Sequence, residues 1–156
     1  MSATAYPSPD AVIADAVFAL AEQVVGGTLD LWDDRAVATF GYEPVSDSPA
    51  ARMIGRRTAD ISIVIERERG KPGCQVRFAT HDTPASYEGL YREAQRRGFH
   101  PAGGQRKPPE NGFLLDTLVA SGQPIAILVM MRQDAPDAPA GVNIYPLPPG
   151  GDHAEV

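Results

Sequence analysis

The stretch Asp60-Ile61-Ser62-Ile63-Val64-Ile65-Glu66, followed by Arg69-Gly70-Lys71-Pro72-Gly73 and Cys74-Gln75-Val76-Arg77-Phe78-Ala79-Thr80, decides the class of fold. Ile61, Ile63 and Ile65 alternate with Ser62, Val64 and Glu66, the period of a strand with one buried face. Gly and Pro crowd the residues between the runs, so the pattern predicts a hairpin with strands over 60–66 and 74–80. At its end, Thr83-Pro84 opens a helix. A hydroxyl satisfies a free N–H, and Pro fits the first helical turn, where its missing donor is not needed. Tyr87, Leu90, Tyr91 and Ala94 then give an apolar face as far as Gly98, which predicts a helix over 84–97.

Upstream, the same punctuation recurs as Ser8-Pro9 with Gly26 and as Ser48-Pro49 with Gly55. It predicts helices over 9–25 and 49–54, each stopped by a glycine. The first repeats Ile13, Val17, Leu20 and Val24, with Val12, Phe18 and Val25 off that stripe. A helix so apolar around its circumference is deeply buried or has a partner. Residues 28–40 lean to helix on the spacing of Trp32, Ala36 and Phe40.

Downstream, 100–112 has no period and reads as a long loop. Phe113 to Ala120 reads as a short helix with Leu114, Leu115 and Leu118 inward, and Ile125 to Met131 as a strand buried on both faces. Residues 134–141 form a linker and 142–145 a last strand. Together these elements predict an α+β fold, an antiparallel or mixed sheet of about four strands (60–66, 74–80, 125–132, 142–145) with three to five helices packed on it. One domain covers 1–145, and 146–156 is a loose tail.

Composition narrows the function classes. The 156 residues include 15 Gly and 15 Pro, which here punctuate elements and do not mark low complexity. A single cysteine, Cys74, makes no internal disulfide and suits a reducing compartment. No basic n-region precedes an apolar run, so no signal peptide is read and the expected location is cytoplasmic. The longest apolar run, Ile125 to Met131, is far short of a membrane span. His81, His100 and His153 share no ligand spacing with one another or with Cys74, so no metal and no cofactor are expected. Neither G-x-S-x-G nor a phosphate-binding glycine motif occurs.

Charge is uneven. Residues 1–50 carry a net −7, 51–110 a net +5 and 111–156 a net −4. This pattern predicts a basic face, or acidic ends paired with a basic centre. His81 and Asp82 sit where a strand meets a helix start, the place for an acid or base beside an anion. Arg92, Arg96, Arg97, His100, Arg106 and Lys107 gather around Gly103-Gly104 and suit an anionic small molecule. The overall acidity, with pI near 5.0, does not favour nucleic acid. The leading expectation is therefore a small non-enzymatic binding protein of bacterial or phage style, of an immunity, anti-defence or accessory type. It would meet a protein partner, or itself, through residues 10–45. The alternative is an enzyme or ligand-binding domain for a phosphorylated or anionic small molecule, with His81 as acid or base and the basic 96–107 segment as anion grip.

Overall fold

The computed structural model describes residues 8–135 and 137–147. A helical rod opens the chain. Pro9–Asp15 is α-helical, Ala16–Ala21 widens to a π-helix, and Glu22–Val25 returns to α. We call the whole rod, 9–25, α1. Ser8 caps it by accepting the Ala11 N–H at 3.2 Å. The left-handed residue at its end is Gly27, one place beyond Gly26. A short α2 (Asp34–Ala38) follows, capped by Asp33, and later α3 (Thr83–Arg96).

The strands are β1 (Glu43–Asp47), β2 (Ala51–Arg57), β3 (Ile61–Glu68), β4 (Cys74–Thr80), β5 (His100–Pro101), β6 (Phe113–Val119), β7 (Ile125–Arg132) and β8 (Ala140–Pro146). They form one sheet in the order β1-β2-β3-β4-β8-β7-β6-β5, with every neighbouring pair antiparallel. The chain winds one four-stranded meander from the edge inwards and crosses over by α3. A second meander from the opposite edge then ends beside the first, at the β4–β8 seam.

This architecture corrects the expected α+β fold of about four strands. The described residues form eight strands and about three helices, with 37% of them in strand against 26% in helix. Three local errors account for the difference. Residues 49–54 are not a helix. Ser48 Oγ accepts the N–H groups of Ala50 and Ala51, and Ser48 N–H donates to the Ala51 carbonyl, so Ser48-Pro49 turns the β1–β2 hairpin. Residues 113–119 of the expected 113–120 helix form strand β6, with Leu114, Asp116 and Leu118 buried on one face and Phe113 and Leu115 exposed on the other. Of 28–40 only Asp34–Ala38 is helical, and β1 just beyond was not foreseen. The 100–112 loop begins with the two-residue β5, and the last strand starts within the expected linker, at Ala140. Of the expected tail, Pro146 ends β8 and Leu147 is buried, while 148–156 lie outside the described residues.

The core lies on one face of the sheet, the inner face. Ile54, Ile63, Ile65, Val76, Phe78, Val142, Ile144, Ile127 and Val129 meet α1 and α3 there. Val12, Ile13, Ala16, Val17, Leu20, Ala21 and Val24 of α1 are all buried in that cluster. The apolar circumference read from the sequence is thus used inside the fold, since α1 lies against both the sheet and α3.

Candidate functional site

The residues expected to form one anion site fall into four places. Asp82 is the N-cap of α3 and accepts the Ala85 N–H at 3.1 Å. His81 is exposed, with Nε2 3.3 Å from Asp60 Oδ1, in a shallow hollow with residues of the β2–β3 turn. That hollow contains none of Arg92, Arg96, Arg97, His100, Arg106 or Lys107.

Arg92, Arg96 and Arg97 line a different hollow of about 360 Å³ between α1 and α3, together with Asp10 and Asp15. Glu93 pairs with both Arg96 and Arg97, and the Arg97 guanidinium lies 4.5 Å from the centre of the Phe18 ring. His100 sits on edge strand β5, its ring 3.2 Å from the Pro101 carbonyl oxygen.

Arg106 and Lys107 close over the inner face at β6. The Arg106 guanidinium forks onto Glu88 and lies 4.2 Å from the centre of the Tyr91 ring. The Lys107 backbone N–H donates to Asp116 Oδ1 at 2.9 Å. Asp116 is 1% exposed, and its Oδ2 has no hydrogen-bond partner among the described residues. The Tyr87 and Tyr91 hydroxyls are likewise buried and unpartnered. The Arg106 hydrogen bond holds the Glu88 carboxyl below its ordinary range, and burial raises both tyrosines. Sequence reading missed Asp116 because it placed the residue on a helix; the alternation Leu114, Asp116, Leu118 was the available signal. Cys74 is buried on the inner face and its thiol is pushed up to about 12 by burial, so it stays protonated at neutral pH.

The outer face of the sheet brings together residues that the sequence did not mark as a group. Strand register sets Gly55, Val64, Arg77, Gly141, Met130 and Leu115 side by side in one row. Met53, Glu66, Gln75, Asn143, Leu128 and Thr117 form the next. Val45 leans over Gly55, and Phe113 stands at the end of β6. Val45, Phe113 and Leu115 are 59%, 37% and 41% exposed, while Met53, Val64, Leu128 and Met130 are half-buried. Glu66 and Arg77 lie diagonally across β3 and β4, both half-buried. Neither makes an ion pair among the described residues. At one corner of this face Leu147 packs on Val119 and Ala126, and this is the cover that the described residues give it.

Among the described residues no group of three or more His, Cys, Asp or Glu is placed to hold a metal ion. No helix among them is long and apolar enough to cross a membrane. No protein-family model, curated protein or solved structure matches the chain.

Proposed function

We propose that this chain is a non-enzymatic binding protein acting through a protein–protein interface, and that the interface is the outer face of the sheet with a second copy of the chain seated on it. The observation that carries this reading is the pair of adjoining rows centred on Arg77 and Glu66. Val45, Phe113 and Leu115, exposed on this face beside the half-buried Met53, Val64, Leu128 and Met130, favour contact with another surface. The two central charges are of opposite sign, and neither has an ion partner among the described residues, so a two-fold contact would bring each Arg77 to the other copy's Glu66. Such an isologous contact needs a self-complementary patch. Of the expected 10–45 surface, β1 with Val45 belongs to this face, whereas the apolar side chains of α1 are taken by the core.

Sedimentation equilibrium tests the proposal. The full chain should be dimeric at concentrations up to about 100 µM. Leu115→Glu should yield a monomer with an unchanged circular dichroism spectrum. Arg77→Glu should weaken the dimer, and Glu66→Arg combined with it should restore association. A wild-type chain that is monomeric over the whole range would overturn the reading, as would a Leu115→Glu variant that dimerises equally well.

A further inference from the structure

Three arginines gather around the loop between α1 and α2. Arg52 and Arg67 stand directly opposite each other across β2 and β3, a placement in which like charges repel. Arg52 is 3% exposed. Its Nη1 donates to the Trp32 carbonyl oxygen at 2.9 Å, its Nη2 pairs with Asp34, and its Nε has no partner among the described residues. Arg67 Nη1 donates to the Val24 carbonyl oxygen at the end of α1. The Arg69 guanidinium lies 4.0 Å from the centre of the Trp32 ring. Neither Arg67 nor Arg69 makes an ion pair among the described residues. Trp32 Nε1 is buried and also unpartnered.

Arg67, Arg69 and Trp32 line a hollow of about 470 Å³ together with Asp30, Leu29 and Leu31. Asp30 is the carboxylate in that lining, and its Oδ1 accepts the Trp32 backbone N–H at 2.9 Å; outside it, Asp34 pairs with Arg52, Asp33 caps α2, and Asp47 stands opposite Arg52 on β1 and borders the adjoining hollow with Trp32 and Arg69. Within the lining, two guanidinium groups, Arg67 and Arg69, therefore face one carboxylate, Asp30. Of the buried donors without partners among the described residues, Trp32 Nε1 belongs to this lining, and such a group calls for an explanation. The hollow falls within the roughly 300–1,000 Å³ of small-molecule sites. A guanidinium lying on an aromatic ring keeps its in-plane N–H groups free to fork onto an anion.

We propose that this hollow binds a small organic anion, its carboxylate or phosphate gripped by Arg67 and Arg69 and its apolar body set against Leu29 and Leu31. The site lies on the inner side of the sheet end, so it stands or falls independently of the outer-face dimer.

The test titrates the full chain with benzoate, phenyl phosphate and inorganic phosphate, and with benzylamine as cationic counterpart, followed by NMR shifts of the Trp32 indole N–H and by melting temperature. Benzoate or phenyl phosphate should saturate with a Kd tighter than about 1 mM. Whichever of the two binds more tightly identifies the head group. Arg69→Gln, at an exposed position, should fold normally and bind at least about tenfold more weakly. Arg96→Gln, in the hollow between α1 and α3, should bind as the wild type does. No saturable shift up to about 10 mM of any anion, an equal response to benzylamine, or undiminished binding by Arg69→Gln would each refute the site. Inorganic phosphate binding as tightly as phenyl phosphate would refute its organic character.

Discussion

Arg106 shows how much one side chain can hold. It forks onto Glu88, covers the Tyr91 ring, and lies 4.0 Å from the otherwise unpaired Oδ2 of Asp116. Arg106→Ala leaves the buried Asp116 carboxylate with only the Lys107 N–H. Breaking a buried pair on one side is costly, but the Arg106 and Glu88 side chains are 35% and 42% exposed, so water screens part of the loss. We expect a destabilisation of about 1–2 kcal/mol, read from the urea midpoint. Its pH dependence follows from Glu88, whose carboxyl is held below 4.5 by Arg106. A carboxyl with a lowered folded-state pKa adds stability above its unfolded value and loses it as pH falls through the folded value. The gap between wild type and Arg106→Ala should therefore be widest above pH 4.5 and should close on acidification. A gap that is constant or grows toward low pH would assign the role of Arg106 to packing alone.

At the scale of elements, β1 is held to the sheet by an absence of side chain. A Cβ on Gly55 would come within 2.8 Å of Val45 Cγ2, at the irregular register between Pro44 and Ser46. Gly55→Ala should shift β1 outward at a cost of about 1–2 kcal/mol, as overpacking does. Hydrogen exchange should then speed up at the β1 amides and stay unchanged in β3 and β4; unchanged protection in β1 would show that Val45 yields without moving its strand.

The same elements mark where the sequence was legible. The β3–β4 hairpin, α1 and α3 have long, clean periods and unambiguous ends, and they emerge near their predicted bounds. Ser48-Pro49 failed because a Ser-Pro pair serves a tight turn as well as a helix start. The residue four places on from Leu114 lies on the same face of a helix and of a strand, so Leu114 and Leu118 fit both. Asp116 hid the two-residue alternation by placing a charge inside. The candidate sites were less legible. Arg52, Arg67 and Trp32 are distant in the chain and meet only through the β2–β3 register and the loop after α1. The two outer rows likewise exist only once strand order is known.

For the whole molecule, the sequence's acidic and basic thirds are partly folded against each other. Asp34 pairs with Arg52, and Asp10 and Asp15 share a hollow with Arg92, Arg96 and Arg97. Each half of the chain is a helical segment followed by a four-stranded meander, and the halves share one hydrogen-bonded seam, Cys74–Phe78 of β4 against Ala140–Ile144 of β8. α1 packs on strands from both sides of that seam. Fragments 1–81 and 82–156 should therefore each fail to melt cooperatively, whereas an equimolar mixture should regain the native circular dichroism spectrum; a cooperatively folding 1–81 fragment would mean that the first meander is self-sufficient.

The seam also sets an order of events in the cell. The first meander leaves the ribosome well before the strand that completes it. Through that interval β4 carries an open edge of N–H and C=O groups, with Cys74, Val76 and Phe78 beside it, and nothing from its own chain can yet pair there. Growing chains on one messenger would offer one another the same edge. The most vulnerable moment for this protein is thus its synthesis, in the window between the emergence of Thr80 and that of Pro146.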